Sequence, residues 1–344
     1  MEYLIKQVET MKLYTRSDRI MNTNKSNVYR LDSAGQGSAL LIDRRDGLSD
    51  QILKCFDRLS VAITNTLNIS GCLIYLRHGE SYLVLASSNA APTVKGQVPF
   101  ITNFSLNFRA AKDFETCPFS HPESIFSDVE RLFLIESDRV TEDTSVGLLV
   151  ASDMDNDQLN DIDTQFCEAT LGLIRRVFRF CETLQEKDCG NFDPCQEIAD
   201  MGVLAAFGIR LGCRVNKVAL FSKYLETDKF FASCGLDEEQ SPSAHSMRFM
   251  GNQFMDFFGH ESDFLEPVLG RHLTTQRYLS VIPFDPSNSD LGYLAVTKDT
   301  SEQMTLNDLI VCKGILSPLA FVLNSYLEGC EGAMCQIGHV QNKT

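Results

Sequence analysis

Arginine and histidine side chains set among phenylalanines form the two stretches of this chain best equipped for chemistry. Between residues 100 and 121 stand Asn103, Arg109, Asp113, Cys117 and His121, interleaved with Phe100, Phe104, Phe108, Phe114 and Phe119. Between residues 245 and 272 stand His245, Arg248, Asn252, His260, Arg271 and His272, among Phe249, Phe254, Phe257 and Phe258. Small-molecule pockets are mostly apolar with a few convergent polar groups. A cationic side chain inside such an aromatic wall would grip an anion through charge-assisted hydrogen bonds. Arg109, Cys117, His121, Arg248, His260 and Arg271 are therefore the candidate ligand contacts. The competing reading is that the phenylalanines are ordinary core.

Other candidates carry less. The acidic run from Asp153 to Asp161 has Gln158 where a calcium-binding loop needs its sixth-position glycine, and Thr164 where it needs the twelfth-position glutamate. It reads better as a solvated loop before a helix, where negative charge favours the dipole. Cys330, Cys335 and His339 offer three soft ligands, one fewer than a closed zinc site takes, so no metal is expected. No Ser/His/Asp ordering, glycine-rich phosphate loop or HExxH motif occurs, and Gly35-Gln-Gly37 is too short to mean much. No enzyme activity and no required cofactor follow from these residues. None of the 12 cysteines forms a CxxC pair. Cys55, Cys167, Cys213 and Cys312 fall in apolar periodic segments, as buried thiols do. That usage fits a reducing cytoplasm.

The elements that must hold these residues are drawn from 344 positions, enough for two domains with full cores. At 44% hydrophobic and 22% charged the chain has a globular composition. A net charge of −15 argues against direct nucleic-acid binding or an anionic membrane surface, both of which need clustered Lys and Arg. No apolar run is expected to approach the roughly 20 residues of a membrane helix. The charged start MEYLIKQVETMKLY is not a secretory signal.

Residues 1–43 are polar and mixed, and read as an appendage. From Asp50, a helical face of Ile52, Phe56, Leu59, Ile63 and Leu67 leads to strands at Cys72–Leu76 and Tyr82–Ala86. An irregular middle follows, then strands at Arg131–Ile135 and Val146–Ala151 and a helix from Asp161 to Glu186. Moved by about 145 positions, the pattern fits again. A helix opens at Pro194, and strands follow at Lys217–Phe221 and Lys229–Ala232. The strands from Leu279 and Leu291 then lead into a helix ending near Leu327. Gly147 matches Gly292, Gln158 matches Gln303 and Asp163 matches Asp308. A period of this size is a tandem duplication of a whole domain, unlike solenoid repeats. The boundaries are 44–188 and 189–328, with 329–344 a tail. Gly190 suits a helix C-cap, and Asp193-Pro194 suits an N-cap followed by proline at the first helical position.

The closing segment of each copy carries a family resemblance. Leu279-Ser-Val-Ile-Pro-Phe, Leu291-Gly-Tyr-Leu-Ala-Val and Thr305-Leu-Asn-Asp308 resemble the end of a GAF domain. Leu132-Phe-Leu-Ile, Val146-Gly-Leu-Leu-Val and Leu159-Asn-Asp161 resemble it more loosely and lack the proline. The resemblance implies an α+β fold, two tandem domains each with a central antiparallel sheet and flanking helices. It also implies a ligand site between the sheet and the irregular middle. Relatives that bind cyclic nucleotides carry an Asn-Lys, Phe, Asp-Glu signature, of which only Lys298 and Asp308 stand in place here. Cys117-Pro-Phe-Ser-His121 is spaced differently from the Cys-His of bilin-binding relatives. No cysteine arrangement matches those that reduce methionine sulfoxide.

The expected function is non-catalytic: sensing a small ligand and relaying it through helices to a dimer mate or partner. Phe166, Leu173, Val177, Phe180, Leu316 and Leu323 lie on the long apolar helical stripes. In GAF-like proteins such helices commonly pair two copies, so a homodimer is expected. Because little follows Leu327, a separate protein effector is expected as well. The alternatives are a ligand-free interaction adaptor on degenerate GAF domains and, third, a GAF-type enzyme.

Overall fold

A computed structural model gives the fold and describes residues 50–78, 81–89, 110–111, 131–141, 144–152, 159–185, 193–222, 229–236, 254–258, 273, 278–285, 288, 291–298 and 303–341. The order is α1 (Asp50–Leu67), β1 (Gly71–His78), β2 (Ser81–Ser88), β3 (Ala110–Ala111), β4 (Arg131–Thr141), β5 (Thr144–Ser152) and α2 (Asp161–Gln185), followed by α3 (Pro194–Gly212), β6 (Lys217–Ser222), β7 (Lys229–Cys234), β8 (Met255–Phe258), β9 (Tyr278–Pro283), β10 (Tyr293–Lys298) and α4 (Leu306–Gln341). The class is α+β. Two five-stranded sheets run β2-β1-β5-β4-β3 and β7-β6-β10-β9-β8, and every pairing is antiparallel.

Sequence periodicity places the long elements within a few residues. The short edge strands β3 and β8 escape it, since two or four residues show no period. Helix α4 also runs on through Gln341, past the end expected at Leu327. Its segment Leu306–Leu327 is long and apolar enough to cross a membrane, contrary to the expectation from the sequence. Here that apolar surface is used inside the protein: Leu316, Leu319 and Leu323 are fully buried.

Alternation sorts the side chains of the central strands. Cys72, Ile74 and Leu76 of β1 point to the helices, as do Val146, Leu148 and Val150 of β5. Leu73, Tyr75 and Leu149 point the other way and are equally buried. These sheets are covered on both faces, so their strands read as near-continuous apolar runs.

The helices do more than cover their own sheets. Helix α1 packs chiefly against α4, and α2 chiefly against α3. Gly212 at the end of α3 is hemmed by Val311 of α4, Phe166 of α2 and Thr66 of α1, so four helices converge there. The contacts Gly212–Val311, Gly208–Ile315 and Cys195–Tyr326 descend α3 while climbing α4, which makes that pair antiparallel. One apolar core runs without a break from the first sheet through all four helices to the second.

Local irregularities recur along the chain. Asn68 and Arg214, each with φ 50°, end their turns 146 positions apart. Asn89 (φ 54°) and Gly235 (φ 80°) are separated by the same interval. A bulge at Ile74/Tyr75 is matched by one at Leu220/Phe221. Such left-handed residues and bulges are specific backbone features. In the sheets, Tyr75 faces Gly147 and Phe221 faces Tyr293. The strand counterpart of Gly147 is therefore Tyr293, one position beyond the Gly292 that sequence matching picks. Asn160 and Thr305 cap α2 and α4 at an interval of 145, so the loop before the second of these helices is one residue shorter.

Candidate functional site

The outer face of each sheet, turned away from the helices, is where a ligand was expected. The proposed contacts Arg109, Cys117, His121, Arg248, His260 and Arg271 all lie outside the described residues. What is described is the floor they would stand over. In the first sheet Tyr75 fills it: a Cβ on Gly147 would lie inside the Tyr75 ring. That strand position needs glycine to admit the ring. In the second sheet Phe221, Leu273, Leu279, Val281, Tyr293 and Ala295 make one buried apolar cluster, with Phe257 packed against it. An aromatic sits centrally on both floors. The first sheet uses a Tyr–Gly pair and the second a Phe–Tyr pair.

On these floors, Thr297 Oγ1 in the second sheet and Ser87 Oγ in the first are buried hydroxyls with no hydrogen-bond partner among the described residues. Buried polar atoms normally find a partner. Thr297 pairs with Leu279 and Ser87 with Leu73, which places both on the outer faces. Each hydroxyl can donate one hydrogen bond to a group placed over its outer face.

On the helix side, the edge strand β8 supplies Asp256, which accepts a 2.6 Å hydrogen bond from Ser280 Oγ. Burial raises its carboxyl above the ordinary 3.8, and the hydrogen bonds from Ser280 and Tyr278 moderate the rise. Sequence reading passed over Asp256; the available signal was one acid inside the apolar run FMDFF.

At the start of α4, Thr305 Oγ1 accepts from the Asp308 N–H at 3.1 Å, and Asp308 Oδ2 accepts from the Thr305 N–H at 2.8 Å. This is a reciprocal capping box with aspartate in place of glutamate. Lys298 Nζ closes on the same carboxylate at 2.9 Å. The two residues left of the cyclic-nucleotide signature are thus engaged with each other. Helix α3 starts as its sequence anticipates: Asp193 accepts from the Cys195 and Gln196 N–H groups, with Pro194 next.

Phe166, Leu173, Val177, Phe180, Leu316 and Leu323 are all buried within the single chain. The exposed large apolar side chains among the described residues are Ile162, Val203 and Leu306. Association with a second copy would have to use surfaces other than those six residues. Sequence reading also missed Arg176, which reaches Glu197 and Asp200 at 3.0 Å each and ties α2 to α3.

No metal-binding cluster of His, Cys, Asp or Glu occurs among the described residues. The side chains of Cys330, Cys335 and His339, and the acidic loop 153–158, lie outside them. Eight cysteines are described, all as free thiols. Burial raises the Cys72 and Cys167 thiols far above the usual range. Such thiols are poor nucleophiles.

No protein-family model and no curated protein matches the chain. Among solved structures, the GAF domain of an Acinetobacter phosphoenolpyruvate-protein phosphotransferase is similar at 10% identity and a TM-score of 0.31, covering 48% of this chain and 95% of that one. The chromophore-binding domain of a bacteriophytochrome from R. palustris is similar at 10% identity and TM-score 0.32, covering 58% and 71%. The longer bacteriophytochrome from R. palustris gives 10% identity and TM-score 0.28, covering 87% and 80%. All three TM-scores fall below 0.5, so the architecture rests on the strand order and packing of this chain.

Proposed function

We propose that the chain is a non-catalytic regulatory protein built from two tandem GAF-like halves. A small ligand held over the outer face of a sheet would be sensed, and the change passed through the shared helices to a separate protein partner. The observation that carries this reading is the unbroken core: both sheets rest on one four-helix bundle. Packed interiors transmit strain because they deform little. The repeated strand order, bulges and left-handed turns support the two-copy part of the proposal. The free thiols are in keeping with a cytoplasmic protein. The charge of −15 weighs against direct DNA or RNA contact.

A ligand-free adaptor is the second reading, and one observation favours it. Tyr75 in one sheet, and Phe221 with Tyr293 in the other, already fill the centres of the outer faces. Native mass spectrometry of the gently purified full chain separates the two. A retained small molecule is the result expected of a sensor. Protein that is always ligand-free, with a stable protein partner, would establish the adaptor. The same spectra report whether two copies associate.

A further inference from the structure

Two of the free cysteines touch. Cys213 forms the C-cap of α3, and Cys312 lies in the second turn of α4, 99 positions later in the chain. Their sulfurs are 3.6 Å apart, and the Cys213 thiol also donates to the Asp308 carbonyl at 3.5 Å. Gly212, adjacent to Cys213, is the point where all four helices meet. A disulfide has sulfurs about 2 Å apart, so closing this pair brings the two sulfurs about 1.6 Å nearer than their present 3.6 Å.

We propose that Cys213 and Cys312 form a dithiol–disulfide site, oxidised by hydrogen peroxide, that fastens α3 to α4 at the convergence of the bundle. Peroxide converts one thiol to a sulfenic acid and releases water as its O–O bond breaks. The neighbouring thiol then attacks that sulfur, the S–S bond forms, the S–O bond breaks and a second water leaves. The two electrons lost by the sulfurs reduce the peroxide, and the two thiol protons end on the waters. The hydrogen bond to Cys312 and burial both raise Cys213, while Lys298 opposes the rise. Thiolate is the reacting form. The closed bundle therefore reacts slowly, and the site responds to sustained oxidant or to opening of this end. A bond here closes a loop of about a hundred residues, the long-loop case in which a cross-link restricts the unfolded chain most.

The test is made on the full chain, treated with hydrogen peroxide, alkylated and mapped as peptides. The expected result is one pair of peptides, containing Cys213 and Cys312, joined in oxidised protein and separated by dithiothreitol. The exposed Cys195 serves as an internal gauge of oxidation. Thermal unfolding should move to higher temperature on oxidation and return on reduction, and C213A and C312A proteins should show no such move. The proposal is overturned if Cys195 is oxidised while Cys213 and Cys312 are both recovered as thiols. It is equally overturned if the joined peptides form without raising the unfolding temperature. Mapping the unaltered protein keeps the test decisive even where a variant fails to fold.

Discussion

The α1–α4 and α2–α3 contacts join a first helix to a last helix in each case, yet different chemistry holds them. Between α1 and α4 the backbones approach closely. A Cβ on Gly314 would lie against Ala62, and 2.8 Å from the Arg58 carbonyl. Arg58 also reaches Ser317, at 3.5 Å. Between α2 and α3 a leucine does the filling, with Leu204 over Gly172, and Arg176 bridges two carboxylates. The repeated arrangement is therefore a matter of shape. The side chains that satisfy it differ on the two sides.

The largest effect should come from the core the two contacts share. Phe180→Ala removes a fully buried ring and should cost about 3–5 kcal/mol. Circular dichroism and fluorescence during denaturation should show one transition for both halves. Two separate transitions would sink the shared-core account.

The next comparison sets two glycines against each other. Gly314→Leu should destabilise by about 1–3 kcal/mol through overpacking, because backbone and Ala62 block the new side chain. Gly208→Ala meets only Ile315 methyls, the nearer at 3.5 Å, and should stabilise by up to about 1 kcal/mol through helix propensity. Chemical denaturation midpoints of the two variants should move in opposite directions.

On the ion-anchored side, Arg176→Ala leaves Glu197 buried without its partner. Its other carboxylate oxygen already lacks one. The expected cost is about 1–2 kcal/mol, reduced for the partial exposure of Arg176. Glu197→Gln in the same background should recover part of it, and a double-mutant cycle measures how much. A coupling near zero would mean that the apolar contact alone holds α2 to α3.

The smallest effect is a pH slope. Burial raises Asp256 in the folded protein, so its contribution is fully present below the ordinary 3.8 and is lost as pH rises through the higher folded value. Asp256→Asn should flatten the fall in stability across that window. Thermal midpoints measured from pH 3.5 upward would show an unchanged slope if Asp256 is not responsible.

Much of the local structure was legible from residue order. Ile52, Phe56, Leu59 and Ile63 share a helical face and are buried. Asp193-Pro194 opens a helix, and the recurring pattern anticipated two antiparallel sheets. The alignment of the two recurring stretches was less secure. Matching Gly147 to Gly292 slips one position, because glycine identity draws the eye while strand pairing sets Gly147 against Tyr75 and Tyr293 against Phe221. The candidate ligand contacts were chosen from irregular stretches, where no period fixes a side chain's direction.

By itself the sequence determined the types of the long elements and the capped helix start at Asp193-Pro194. These depend on neighbours within a few residues. Only the tertiary structure decided where the long apolar stripes go. A stripe states that a helix must bury one face and says nothing about which surface covers it. Phe166, Leu173, Val177, Phe180, Leu316 and Leu323 looked available for a second copy and are buried within the single chain. The meeting of Cys213 with Cys312 was likewise invisible, since contacts 99 positions apart are set by how helices pack and not by how they are spelled.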